Sequence, residues 1–209
     1  MDSFIYLRIE INSTLDLTET VTYRLRKANA VFAMLLRIWS ATRLPTTLKA
    51  RMFHSVVRPV ALYGAETWTL LPSLEHVVDT QDMEWVRQIA GVSMYDELPN
   101  AVVRRRARCP VPLSEACRQA RLRYYGHLCR LPEGRAPISA LHATAGPRRQ
   151  GRPTTTWAEL VAADARTRGL CCDDLHRLAP DRDLYRGQVA HAPRCDGVPT
   201  HPLKRPRPG

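Results

Sequence analysis

The residues whose type and spacing indicate a binding function are the arginines, which are concentrated in one quarter of the chain. Residues 101–153 contain 12 arginines and two glutamates, a net charge of +10 out of +11 for the 209-residue chain. A guanidinium presents a planar fork of donors that matches the oxygens of a phosphate. A surplus of one charge sign is explained most simply by a partner of the opposite sign. The composition favours a phosphate-bearing polyanion over a basic face that only keeps the protein soluble.

The best candidate for phosphate binding is the glycine-bearing segment that precedes Trp157. Arg148, Arg149 and Arg152 lie there in the sequence GPRRQGRP. The segment leads into a predicted helix, and the free N–H groups and the dipole at a helix N-terminus favour an anion. We expect Trp157 itself to anchor the core rather than to stack on a base.

A second candidate group consists of arginines with an interleaved aromatic residue on a predicted helix over 112–131. Such a group suits phosphate contact combined with base stacking. Its members are Arg118, Arg121, Tyr125 and Arg130. We expect them near one side of the helix, opposite Tyr124 and Leu128. His127 on the same helix could bond a phosphate, bond the loop backbone or ligate zinc, although a single histidine is more often structural.

Three adjacent arginines, Arg104, Arg105 and Arg106, occupy a shorter predicted helix. Consecutive side chains on a helix point in different directions, so at most two of the three share a face. Contact with a phosphate backbone and a solvated helix surface explain them equally well. Arg104 and Arg105 are kept as candidates for nucleic-acid binding.

Cysteine and histidine spacing is a weak indication of a metal site. Cys172 precedes His176 by four residues, and His191 precedes Cys195 by four. Structural zinc sites use such pairs. However, no Cys-x₂-Cys pair accompanies them and the second pair falls in a proline-rich tail, so accidental spacing is the better explanation. The chain also lacks a nucleophile elbow, a P-loop and a dinucleotide fingerprint. We expect no metal site and no catalytic residue.

The elements that must position these residues are mainly α-helical, with a short β element at the N-terminus. Alternation over residues 4–11 predicts a strand. Apolar spacings of three and four predict the helices. These begin near Thr18, Pro45, Ser73, Asn100, Pro112 and Thr156, and a last helical pair spans about 173–190. Pro59 is expected to kink the second helix or to end its regular hydrogen bonding, and Gly91 to end the third.

Four sequence blocks follow one another in a recognisable order. They are VVRPVALYGAETWTL (56–70), RLRYYGHLCRLP (121–132), QGRPTTTWAELVAAD (150–164) and DRDLYR (181–186). Together they resemble the C-terminal part of non-LTR (LINE-type) retrotransposon reverse transcriptases, which carry P-x-L-Y-G-x-E-T-W, R-L-R-W-x-G-H-x-x-R-M, G-R-P-x-x-x-W and D-R-x-x-W-R blocks. The opening DSFIYL resembles the primer-grip segment near the end of the polymerase palm. The resemblance covers residues 2 to about 190.

The resemblance implies four segments along the chain. These are the end of a palm over 1–17, a thumb-like helical bundle over 18–92, a smaller basic helical unit over 96–190 and a tail over 191–209. The proline and glycine content of the tail predicts disorder. Departures from the family pattern are Arg8 for glycine, Tyr125 for tryptophan, Leu131 for methionine and Tyr185 for tryptophan. Arg8 puts the turn of the primer grip in doubt, because a residue with a Cβ resists positive φ.

The family is one of RNA-directed DNA polymerases, but its catalytic carboxylates lie upstream of the matched part. Those carboxylates hold two Mg²⁺ ions, and no Tyr/Phe-x-Asp-Asp motif occurs here. The resemblance therefore implies a fragment without the palm or the endonuclease domain. It would bind RNA or DNA mainly through the phosphate backbone, without catalysis of its own. The alternatives are a truncated gene model of an active polymerase, whose upstream half would bring Mg²⁺ and act in cis, and a decayed remnant without function.

The sequence does not favour a membrane partner. The longest apolar run, residues 30–36, is too short to span a bilayer, and no signal-peptide pattern is found at the start. We expect the six cysteines to be reduced and the protein to be intracellular. The sequence KRPRP near the end is a weak nuclear localisation signal.

Overall fold

The computed structural model describes residues 3–6, 9–12, 17–41, 44–132, 134–142 and 155–190. These residues are mainly helical, which confirms the predicted fold class at that level. The arginine-bearing segment with Arg148, Arg149 and Arg152, the predicted disordered tail and the primer-grip position Arg8 lie outside the described residues. No helix in the described part of the chain is long and apolar enough to cross a membrane.

Two short strands precede the helices. Strand β1 (Ser3–Tyr6) pairs antiparallel with β2 (Ile9–Asn12), and Phe4 lies opposite Ile11. Ten α-helices follow in the described residues: α1 (Leu17–Ala41), α2 (Thr46–Met52), α3 (Arg58–Ala61), α4 (Pro72–Ala90), α5 (Asn100–Ala107), α6 (Leu113–Leu128), α7 (Ala136–His142), α8 (Trp157–Arg166), α9 (Cys172–Leu178) and α10 (Arg182–Ala190).

The long helix α1 buries one apolar stripe. Its members are Val21, Leu25, Ala28, Phe32, Leu35 and Trp39, at the predicted spacings of three and four. Across the interface, the ring of Trp85 on α4 lies 6.0 Å from that of Phe32, and its indole N–H donates to Asn29 at 2.6 Å. Helix α4 ends at Gly91 with φ 64°, as predicted, because a left-handed C-cap favours a residue without a Cβ.

Pro59 interrupts the helix that begins after Pro45, as predicted. A π-helical turn over Phe53–Val57 separates α2 from α3, and Pro59 lies in the first turn of α3. Proline has no N–H, and its ring clashes with the carbonyl four residues earlier in a regular α-helix. Widening of the preceding turn relieves that clash, and π-turns inside helices commonly have such a local cause.

Two clusters of buried residues form the core, and α6 takes part in both. The larger cluster extends from Val21 to Cys117, and the smaller one from Leu122 to Val189. The division between clusters therefore falls within α6, so the larger cluster contains residues of both predicted units. Helix α6 connects the first half of the chain to α8, α9 and α10, and it carries the candidate site residues Arg118, Arg121, Tyr125 and His127.

Candidate nucleic-acid interface

Helix α6 has one side buried in the core and one side open to solvent. Cys117, Arg121 and Tyr125 lie on the buried side, and Arg123 and His127 are exposed. Since successive residues on a helix are about 100° apart, residues 121 and 123 point to nearly opposite sides. The predicted side, which contained Arg118, Arg121 and Tyr125, is the one that packs inside the protein.

Arg121 is bonded within the protein. Its side chain is 3% exposed, and its Nε donates to the Asp164 carboxylate at 2.7 Å. A second guanidinium N–H donates to the backbone carbonyl of Trp68. The structure thus gives Arg121 two internal acceptors and no open face for a phosphate, so we exclude it from the binding surface.

Arg118 belongs to the same group of charges. It pairs with Glu75 on α4, lies 3.5 Å from Glu115 and lies 3.8 Å from Asp164. Arg168, which is buried after α8, pairs with Glu115 and donates to the carbonyl of Val189 at 2.9 Å. We call Glu75, Glu115, Arg118, Arg121, Asp164 and Arg168 the charge network. Its three arginines and three acids cancel, so these arginines contribute no net positive charge.

Two further candidate arginines also have partners within the protein. Arg104 donates to Asp82 at 2.7 Å, and this pair is largely buried. Burial raises the pKa of Asp82, and the charge of Arg104 opposes that rise. Arg130 donates to the carbonyl of Ala179 at 2.7 Å and lies 6.0 Å from the centre of the Tyr185 ring. Both arginines serve contacts between elements rather than an open surface.

Tyr125 is buried, and the predicted stacking on a base is not available to it in this arrangement. Its hydroxyl lies 2.8 Å from Nε2 of His176, and burial raises its pKa. His176 is therefore engaged with a phenol, and no group of metal-ligating side chains suited to a metal ion is found among the residues that the structure describes. His191 and Cys195, the other pair with zinc-like spacing, lie outside them.

The open side of α6 carries a basic and aromatic surface, which we call the α6 face and define by Arg123, Tyr124 and His127. The Tyr124 ring is partly exposed and lies 6.3 Å from the His127 ring. Arg123 was not among the residues predicted from the sequence. Its spacing of four from His127 was the available signal, because residues four apart on a helix are neighbours.

The N-terminus of α8 lies beside the α6 face. Trp157 contacts Tyr124 at 6.0 Å between ring centres, and its indole N–H donates to the carbonyl of Glu66 at 2.8 Å, as expected of a core anchor. A capping box is present at the predicted helix start, since Thr156 and Glu159 satisfy each other's backbone N–H groups. The backbone N–H groups of Thr156 and Glu159 are therefore already bonded at this helix N-terminus, where we expected an anion. Arg152 precedes Trp157 by five residues in the sequence.

Exposed arginines also end helix α5. Arg105, Arg106 and Arg108 are exposed and, within the described part of the chain, they form no salt bridge. The same is true of Arg123. The arginine-rich quarter of the chain therefore divides into arginines neutralised inside the protein and arginines open to a partner.

Comparison with known proteins identifies no relative of this chain. No family model matches it, and no curated protein or solved structure is significantly similar to it. The function of the chain is therefore inferred from the geometry of its exposed residues.

Proposed function

We propose that the chain binds RNA or DNA, mainly through the phosphate backbone, at the α6 face together with the segment that contains Arg148, Arg149 and Arg152. The observation that carries the proposal is the division of the arginines. Internal acids neutralise one set, whereas Arg123 and the arginines at the end of α5 are exposed without a salt bridge to a described residue. Exposed guanidinium groups without partners suit a polyanion.

The α6 face combines two kinds of contact. Arg123 and His127, one turn apart, can both donate to phosphate oxygens. The partly exposed ring of Tyr124 is held at its edge by Trp157, which leaves a rigid aromatic surface for a base. Phosphate contacts position a nucleic acid without reading its sequence, so we expect weak sequence preference.

We also propose that the chain derives from the C-terminal part of a non-LTR reverse transcriptase, with a thumb-like bundle over 18–92 and no catalysis of its own. Contacts between the four sequence blocks support this origin. The carbonyl of Trp68 in the first block accepts from Arg121 in the second, and Trp157 in the third donates to Glu66 in the first. The fourth block contacts the second, because the hydroxyl of Tyr185 donates to the carbonyl of Leu122 on α6. Residues far apart in sequence thus form one packed unit.

The proposal is tested by measuring the affinity of the purified chain for labelled RNA and DNA across a salt series. Binding should weaken steeply, because each neutralised phosphate releases counterions and adds about 0.7 to 0.9 to the slope of log affinity against log salt. Replacing Arg123 and His127 together by alanine should weaken binding and lower this slope by about 1.

The matched control is Arg37→Ala, which removes one exposed arginine from α1. It should change affinity far less than the double variant does. Binding that does not depend on salt would contradict the proposal. Equal losses in the control and in the double variant would show that the α6 face is not the binding site.

A further inference from the structure

Arg108 occupies a backbone position that favours glycine. It is the C-cap of α5, with φ 58° and ψ 33° in the left-handed region. A residue with a Cβ is strained there, and helices commonly end on glycine for that reason. The chain has Gly91 at the corresponding position after α4, with φ 64°. An arginine at position 108 therefore makes the fold less stable than a glycine would.

The structure gives the Arg108 side chain no role in holding the fold. It is exposed and forms no salt bridge with a described residue. Interaction with the helix dipole is a weak reason for a cation here, because the last turn of α5 already contains three arginines. Residues held in a strained backbone conformation are common at functional sites. Arg108 is thus a candidate for a contact outside the protein.

Arg108 and the start of α6 border the same open groove. The His54 ring is bonded to the backbone of Arg108, and it lines the groove together with Ala116 of α6. The segment between Arg108 and α6 is held in place by the buried Arg58, which donates to two of its backbone carbonyls at 3.0 and 3.2 Å. The position of Arg108 relative to α6 is therefore fixed.

The open side of α6 leads from this groove to the α6 face. Ala116, Arg123 and His127 lie on one side of the helix, at intervals of seven and four residues. From the first residue of α6 to His127 the helix rises about 21 Å. Glu115, the one carboxylate on α6, is paired within the charge network. Exposed cations therefore lie at both ends of a stretch of α6 that presents no unpaired carboxylate.

We infer that Arg108 and the α6 face are the two ends of one track for a nucleic-acid backbone, which we call the α5–α6 track. The inference rests on the proposed function and adds the length of backbone that the site takes. At a rise of about 3.4 Å per nucleotide, about 21 Å corresponds to about six nucleotides. A backbone that reaches both ends gains the second contact without a second loss of free motion, so it binds more tightly than a shorter one.

The test compares a labelled probe of about twelve nucleotides with one of about three, which covers only half of the track. In the full chain, Arg108→Gly should weaken binding of the longer probe about threefold and lower its salt slope by about 1, because one phosphate contact is lost. Binding of the shorter probe, which the α6 face alone can hold, should change little. The urea midpoint of this variant should rise, because glycine relieves the strained backbone.

Two control variants match the two parts of this change. Glu97→Gly replaces the other non-glycine residue with positive φ in the described part of the chain, where φ is 49°. It should raise the urea midpoint in the same way without weakening the binding of either probe. Arg37→Ala removes an exposed arginine from α1 and should leave the ratio of the two affinities as it is in the wild type.

Equal binding of the longer probe by Arg108→Gly and the wild type would overturn the inference and leave the proposed function intact. So would equal losses for both probes, because Arg108 would then belong to a compact site rather than to one end of a track. A lower urea midpoint for Arg108→Gly would overturn the argument that this arginine is present at the expense of stability. No binding of either probe by the wild type at low salt would overturn the inference and the proposed function together.

Discussion

Gly126 is a glycine because a ring from another helix occupies the space of a side chain. A Cβ on Gly126 would lie 2.5 Å from atoms of the Tyr185 ring. The hydroxyl of Tyr185 continues past it and donates to the carbonyl of Leu122 at 2.6 Å. The glycine of the second block and the tyrosine of the fourth are therefore complementary, and their role in this structure is packing.

We predict that Gly126→Ala destabilises the fold by about 1–3 kcal/mol, because an added methyl group in a packed contact forces the neighbouring ring to move. The comparison is Gly187→Ala on α10, where a Cβ would meet nothing within 4 Å. That change should be neutral or should stabilise by up to about 1 kcal/mol, because alanine is the better helix former. Urea unfolding of both variants measures the difference. Similar free energies of unfolding for the two variants would disprove the close contact at Gly126.

Helix α6 is the element on which the fold depends. Its N-terminus is capped from α4, since the backbone N–H and the hydroxyl of Ser114 donate to the Asp79 carboxylate at 3.0 and 2.7 Å. Further along, the charge network joins it to Glu75 on α4 and Asp164 on α8. The helix is thus attached by directional bonds to both halves of the core.

Asp164→Ala tests this attachment. The change leaves the buried Arg121 without a carboxylate, and an unpaired buried charge destabilises by about 3–5 kcal/mol. Adding Arg121→Met to the same protein should restore part of the loss, since no buried charge then lacks its partner. The measurement is urea unfolding of the single and double variants.

Asp183→Ala, at an exposed carboxylate in the first turn of α10, is the control and should change stability by no more than about 1 kcal/mol, because this carboxylate interacts only with the helix dipole. If Asp164→Ala were no worse than this control, the charge network would contribute nothing to the fold.

At the scale of the whole molecule, two buried thiols report on global unfolding. Cys109 and Cys117 belong to the larger cluster and are fully buried. Burial raises the pKa of Cys109 to about 11 and that of Cys117 to about 12. Since the thiolate is the reactive form, both should be inert to disulfide reagents at pH 8 while the protein is folded.

We predict that such a reagent modifies the exposed Cys171 quickly at pH 8, and Cys109 and Cys117 only as the protein unfolds in urea. Raising the pH toward their pKa values should not expose them, because access as well as ionisation limits the reaction. Peptide mapping after timed labelling identifies the modified residues. Fast labelling of Cys117 without denaturant would mean that the larger cluster opens locally.

The charge of the whole molecule is less concentrated than the sequence indicates. Four of the arginines between 101 and 153, at positions 104, 118, 121 and 130, have internal partners. Arg105 and His127, which were also predicted, are exposed, and Arg123 joins them. The sequence therefore predicted the basic segment but not which of its members face solvent.

By itself, the sequence determined the local structure. The apolar stripe of α1, the cap at Gly91, the break before Pro59 and the capping box at Thr156 all follow from residues within one or two helical turns. Only the tertiary structure decided which arginines are available. Arg121 and Arg123 have similar local surroundings, and what separates them is the position of Trp68 and Asp164, 53 and 43 residues away in the chain. A buried charge is stable only beside its partner, and that partner comes from another helix.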